Sequence, residues 1–335
     1  MAEPKGRARA RKRAADRDAP PPSLGGAVCD WMEHYLVHGP GDVQGHPYRL
    51  HDDLRLFWWR AYELRPFRKG RKLWAKQQFD EAVLAAPKGV AKSETAGGGC
   101  CVEALGPVQF DGWDASGNPV GRPRETARVL IFANDEDQTG NCYENVGIML
   151  GPETCRQSLL TDYGLIDIGK HEQSSSRVTL PGHRGSIEPK TSRANSKEGA
   201  KPTFLVMEET HTWKLPGMHT LYDTNVKGLL KLPDTWGMHA TNWFGPGEMS
   251  VLELIHEDRD VRSDLLWFGR QPRPDLLPKG VPLRQLPDAV LREALRETYG
   301  SAASYMDFDR IIGYIRRSTS KDATARRFYL NQGAP

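Results

Sequence analysis

The 335 residues carry 46 Lys and Arg against 43 Asp and Glu, a net charge of only +3, with 38% apolar and 27% charged side chains. That balance excludes a polycation acting through bulk charge and fits a globular chain with ample core. The longest apolar runs, such as VLIFA from Val129, are too short to cross a membrane, and no apolar stretch follows the N-terminal charges as a secretion signal requires.

Charge is uneven along the chain. Residues 1–18 hold seven Lys or Arg against three Asp or Glu and run into APPPSLGG. Residues 1–26 are therefore expected to be a disordered basic arm, either solubilising or a contact for nucleic acid or a partner. AVCDWMEHYL from Ala27 and LHDDLRLFWWRAYEL from Leu50 place apolar residues at helical spacing. EAVLAA from Glu81 reads as a short buried strand, with a helix from Lys92. PVQFDGWDASGNPVGRPRE, Pro107 to Glu125, is turn-rich and predicts a surface excursion.

RVLIFAN from Arg128 is a second buried strand leading into the helical DQTGNCYENVGIML. Two shorter extended pieces, GLIDIG from Gly164 and SSRVTLPG from Ser175, precede a polar stretch, Glu188 to Pro202, expected to be a mobile loop. TFLVMEETHTW from Thr203 is a third strand, ending in paired carboxylates. A helix and a fourth strand, TWGMHATNWF from Thr235, follow, and beyond Gly247 the pattern is mainly helical. Strands alternating with helices predict an α/β fold, a mostly parallel sheet covered on both faces.

Three strand ends carry chemistry. APKGVAKSE, Ala86 to Glu94, has the rhythm of a phosphate-binding loop, G-x-x-x-x-G-K-[ST], but both glycines of that pattern are alanine, Ala86 and Ala91. Lys92 can reach the β and γ phosphates and the Ser93 hydroxyl a Mg²⁺ ion, while Gly89 leaves some freedom in the turn. A capped helix with a solvated Lys92 fits the segment equally well. At the third strand's end, Glu208 and Glu209 suit two tasks of NTP hydrolysis: one carboxylate on the metal side, the next as general base toward the attacking water. This order matches P-loop NTPases with an added strand and a catalytic glutamate. In that topology the strand after the acids inserts between the loop strand and the acidic strand. Thr241 and Asn242 then lie at its end, where a hydroxyl and an amide can bond phosphate or water.

The set of APKGVAKSE as an atypical Walker A motif, TFLVMEETHTW as Walker B and MHATNWF as coupling motif resembles the ATPase domain of phage terminase large subunits, the motors that package viral DNA. The ending DFDRIIGYIRRSTSKDATARRFYLNQ looks like the helical segment closing that domain, and EALGPVQFDGWDASGNPVGRP is similar to an excursion in actinobacteriophage-type members. The likeness spans roughly residues 45–332. It implies a P-loop NTPase fold of the RecA-like, added-strand class. The ATPase domain is expected over 27–260, with a helical segment over 261–335 closing it.

The resemblance also implies ATP and Mg²⁺ as cofactors. Pro87, Lys88, Gly89, Val90, Ala91, Lys92, Ser93, Glu94, Thr241 and Asn242 would then line the nucleotide, Ser93 and Glu208 would hold the metal, and Glu209 and Lys92 would be catalytic. Lys88 stands where many relatives have arginine, and Glu208 where they have aspartate. Arg193 is the expected arginine finger, with Arg177 and Arg156 as alternatives, and Gln77 and Gln78 are the candidates for the adenine contact. Implied partners are double-stranded DNA, portal and procapsid, a small terminase subunit, a separate nuclease subunit and further copies in a ring. The implied location is the host cytoplasm, which five cysteines without Cys-x-x-Cys spacing also fit. No second α/β unit follows FYLNQ, so no nuclease domain is expected. The competing reading is a weakly or non-hydrolysing scaffold that docks portal, small terminase or nuclease.

Overall fold

A computed structural model describes residues 20–65, 76–134, 136–163, 173–174, 177–180, 185–190 and 201–333. Residues 1–19 of the expected arm, the GLIDIG piece, Arg193 and most of the polar loop lie outside them. The sheet is built on strands β1 (Glu81–Ala85), β4 (Ala127–Phe132), β7 (Gly185–Lys190), β8 (Phe204–Glu208), β9 (Trp236–Thr241) and β10 (Leu265–Phe268). Two short strands, β5 (Gln173–Ser174) and β6 (Arg177–Thr179), extend one edge, and β2 (Gln109–Trp113) and β3 (Pro119–Arg122) form a separate hairpin.

The sheet order is β10-β1-β9-β8-β4-β7-β6-β5. Every pairing from β10 to β7 is parallel, and the β7–β6 and β6–β5 pairings are antiparallel. The strand following the acidic pair does insert between the loop strand and the acidic strand, as the sequence predicts. All residues of β1, β8 and β9 are buried, the mark of strands covered on both faces.

Alternation along these strands divides the interior into two layers. Ala82, Leu84, Ile131, Phe204, Val206 and Met238 face one core. That core also holds apolar residues of α1 (Gly25–Tyr35), α2 (Asp52–Ala61), α3 (Lys92–Leu105), α4 (Glu136–Leu150), α8 (Asp288–Tyr299), α9 (Phe308–Ile315) and α10 (Asp322–Leu330). Val83, Ala85, Leu130, Leu205 and Met207 face the other, under α6 (Pro216–Leu229) and α7 (Val251–Asp258). One further helix, α5 (Gln157–Tyr163), follows α4.

Three expectations are corrected. Residues 23–26 belong to the folded body rather than to the arm: Ser23 bridges Glu63, the Leu24 amide donates to the Tyr62 carbonyl at 3.2 Å, and α1 begins at Gly25. The C-terminal segment is not wholly helical, because β10 pairs with β1 at the sheet edge. Its four-residue apolar run LLWF is too short for periodicity to separate strand from helix. Glu188–Lys190, expected in the polar loop, complete β7. The turn-rich excursion is the β2–β3 hairpin, whose turn is tied by Asp114 accepting the Ser116 and Asn118 amides, each at 2.8 Å.

Candidate active site

The register places the C-terminal ends of β1, β9 and β8 side by side, with Ala85 opposite Thr241 and Glu208 opposite Ala240. The turn leaving β1 is tied to β9, the Ala86 amide donating to the Thr241 carbonyl at 3.1 Å. Within it Gly89 has φ +93°, and Ala91 adopts the left-handed region at φ 52°. Glycine takes that conformation freely and alanine at a cost of about 1 kcal/mol. Lys92 starts α3 immediately afterwards.

Lys92 is buried, and its Nζ donates to the Pro87 carbonyl and to Asn242 Oδ1, both at 3.0 Å. Burial lowers its pKa to about 8. Asn242 in turn donates from Nδ2 to Glu209 Oε2 at 3.0 Å. One amide thus bridges the loop lysine and the second carboxylate.

The paired acids occupy unlike environments. Glu208 is 2% exposed. Burial raises its pKa to about 8, against a hydrogen bond from Ser93, with the neighbouring Glu209 charge adding to the rise. One of its carboxylate oxygens, Oε2, has no partner. Glu209 sits at φ 52° just past the strand. Burial pushes its pKa up, but the His211 hydrogen bond and the Lys92 charge outweigh that and hold it below the ordinary carboxylate value. Burial therefore governs the first carboxyl, and hydrogen bonding and charge the second. Trp213 Nε1 donates to the Glu208 carbonyl at 3.0 Å and fixes the strand end.

His211 is a member of the site that the motif reading missed. Its Nδ1 lies 2.9 Å from Glu209 Oε2 and 3.1 Å from Thr241 Oγ1, and its amide donates to the same hydroxyl at 3.2 Å. Thr241, expected to meet phosphate or water, is fully buried, accepts from His211 and donates to the Asn242 carbonyl at 3.0 Å. Its hydroxyl is thus turned to His211 and to the Asn242 carbonyl.

Not every expected residue converges. Glu94 Oε1 is taken by His38 Nδ1 at 2.9 Å and the Gly39 amide at 2.8 Å. Val90 is buried in the core. Gln77 and Gln78 precede the opposite end of β1 and donate to the Ala61 and Ser263 carbonyls, so neither lies at the turn. Arg177 pairs with Glu188 at 3.6 Å, with β7, β4 and β8 between its strand and β9. Arg156 donates to the Glu33 carbonyl at 3.1 Å on α1.

The C-terminal helix, α10, does meet the turn. The Lys88 amide donates to the Phe328 carbonyl at 2.8 Å, and its carbonyl accepts from the Tyr299 hydroxyl at 2.8 Å. Lys88 Nζ lies 4.5 Å from the centre of the Phe328 ring, and the Arg327 guanidinium 4.9 Å. The same ring meets His211 edge-on at 5.9 Å. Arg327 also pairs with Glu248 at 3.2 Å, as Lys214 does at 2.7 Å.

These donors fit a phosphate and a hard divalent cation. Lys92 and the alanine–glycine turn suit an anion, while Ser93 Oγ and the unpartnered Glu208 oxygen offer oxygen ligands. Among the described residues no group of three or more His, Cys, Asp or Glu is placed to hold a metal. Mg²⁺ does not require one, since it is commonly held by one or two protein groups plus substrate phosphates.

The sheet and strand ends therefore define a mostly parallel α/β protein with a candidate phosphate site at three adjacent strand termini. Its fold is that of the HK97 bacteriophage large terminase, with a TM-score of 0.65 at 12% identity over 93% of this chain and 55% of that one. No family model matches the chain. It is 26% identical over 357 residues to the Gene 13 protein of Mycobacterium phage L5 and 27% identical over 357 residues to that of Mycobacterium phage D29. Each alignment covers 93% of this chain and 56% of the relative, so the chain spans about half the length of the curated relatives it matches. Among the described residues no helix is long and apolar enough to cross a membrane.

Proposed function

We propose that this chain is the ATP-hydrolysing motor portion of a phage DNA-packaging terminase. The observation that carries the reading is the hydrogen-bonded run from Lys92 through Asn242 to Glu209 across three neighbouring strand ends. The large-terminase fold supports it. Lys92 serves the terminal phosphates, with Pro87, Lys88, Gly89 and Ala91 supplying the turn. Ser93 and Glu208 would hold Mg²⁺, which would supply charge neutralisation on the phosphates.

Glu209 accepts a proton from the attacking water at its carboxylate. Its lowered pKa keeps it ionised for that task, and its hydrogen bonds fix where the carboxylate points. Asn242 releases Lys92 as phosphate arrives, so occupancy of the site and the hold on Glu209 are linked. Double-stranded DNA is the proposed cargo, gripped through its phosphates, with portal, small terminase and further copies of the chain as partners.

The test is ATP binding and turnover with and without linear duplex DNA. Glu209→Gln is expected to bind ATP as the parent does and to lose turnover by about 10²-fold or more. Lys92→Ala is expected to lose both. A parental hydrolysis rate in Glu209→Gln removes Glu209 from its role. Absence of ATPase activity in the parent, with or without DNA, leaves the scaffold reading standing.

A further inference from the structure

We propose that His211 is a positioning residue for the base: its imidazole sets the direction of the Glu209 carboxylate and ties it to the end of β9. The inference rests on the role given to Glu209 above. It begins from the donors and acceptors around a side chain that is 3% exposed. An ionised carboxylate only accepts, so the 2.9 Å contact requires a proton on His211 Nδ1. Thr241 Oγ1 donates its own proton to the Asn242 carbonyl, so toward His211 it too only accepts. Both neighbours therefore call on the single hydrogen of Nδ1, which they share.

The ring is then held on three sides. Glu209 and Thr241 flank Nδ1, the backbone amide of His211 itself bonds Thr241 Oγ1 at 3.2 Å, and the Phe328 ring closes on the imidazole edge-on at 5.9 Å. Glu209 needs such a restraint. It lies beyond the strand in a left-handed conformation, and its side chain is about a quarter exposed, so the sheet alone does not fix it. Asn242 bonds the same carboxylate oxygen, Oε2, but it also bonds Lys92 and must rearrange when Lys92 turns to phosphate. His211 bonds no group that meets the nucleotide and holds the carboxylate throughout.

Three variants and one spectrum test this. His211→Phe keeps a ring against Phe328 and removes the donor, and is expected to lower kcat about 10- to 100-fold with ATP affinity within about twofold of the parent. His211→Asn carries an amide donor near the place of Nδ1 and is expected to recover most of the loss. In a Glu209→Gln background His211→Phe is expected to add nothing further. The proposal is overturned if His211→Phe leaves kcat unchanged, if affinity falls in step with kcat, or if the loss is undiminished when Glu209→Gln is already present. Independently of turnover, ¹⁵N spectra of histidine-labelled, nucleotide-free protein should show one imidazole in the Nδ1–H form that shifts in Glu209→Gln and in Thr241→Val. If no imidazole is in that form, or neither variant shifts it, the positioning role fails even where ATPase activity is intact. If the spectra are as expected and the parent hydrolyses no ATP, the failure lies with the proposed function.

Discussion

Ala91 shows how a residue that breaks a sequence pattern can still satisfy the geometry behind it. The phosphate-loop pattern asks for glycine because the backbone there turns left-handed, and Ala91 makes that turn with φ 52°. Replacing it with glycine removes the clash of its Cβ and is expected to raise the unfolding free energy by up to about 1 kcal/mol, offset in part by the freer unfolded chain. Chemical denaturation reads the change, and a less stable Ala91→Gly shows that the turn is not strained. That Lys92, Glu208 and Glu209 would come to neighbouring strand ends was legible only from their order along the chain, since a lysine or an acidic pair at one strand end is common by itself. His211 was not. It follows Glu209 by two residues within a single 3₁₀ turn, Thr210–Thr212, where no periodicity signals which way a side chain points. Arg327 and Phe328 were hidden for another reason, since their link to Lys88 spans about 240 residues of sequence.

At the scale of elements, α3 is shaped by the glycine run Gly97–Gly99. A Cβ on Gly97 would stand 2.7 Å from Asn145 Cβ on α4, and one on Gly99 would stand 2.8 Å from the Trp58 ring on α2. The glycines therefore set how closely the helix that carries Lys92 and Ser93 is seated between its neighbours. Gly97→Leu is expected to destabilise the protein by about 1–3 kcal/mol through overpacking, more than its better helix propensity returns. An unchanged melting temperature contradicts this. The central strands were readable because β1 and β8 carry the short apolar runs AVLA and FLVM, of the kind a sheet covered on both faces uses. β10 and β7 escaped notice, the first for its length and the second because Ser186, Glu188 and Lys190 make it polar. Those side chains answer one another, Glu188 pairing with Lys190 at 2.6 Å and with Arg177 and accepting from the Ser186 hydroxyl at 2.7 Å.

Over the whole molecule, the sheet has a charged cluster at the end away from the site. Glu81, 1% exposed, accepts from Tyr222 at 2.9 Å and His239 Nε2 at 3.1 Å and pairs with Arg262. Burial alone would raise its pKa, but His239 and Arg262 prevail and lower it from 4.5 to about 2. A depressed carboxylate stabilises the fold fully above its unfolded value and ceases to do so once pH has fallen through the folded one. Stability is therefore expected to decline between pH 4.5 and about 2, by about 3 kcal/mol from this group. Urea unfolding of the parent and of Glu81→Gln across that range measures it, and equal slopes for the two proteins refute the assignment.

The closing helices have a second anchor on β1. Asn331 donates from Nδ2 to the Ala85 carbonyl at 2.9 Å and to the Arg270 carbonyl at 3.0 Å, in a left-handed position of its own. Asn331→Ala strands the buried Ala85 acceptor and the part-buried Arg270 one and is expected to cost about 2–4 kcal/mol, read as a lower urea midpoint.

Lys88 is joined through both its amide and its carbonyl to the last helices of the chain. The turn after β1 and the helix bearing Phe328 consequently share one hinge pin: neither can swing without dragging the other. Displacing that turn would have to break, or carry with it, a hydrogen bond to a helix some 240 residues downstream.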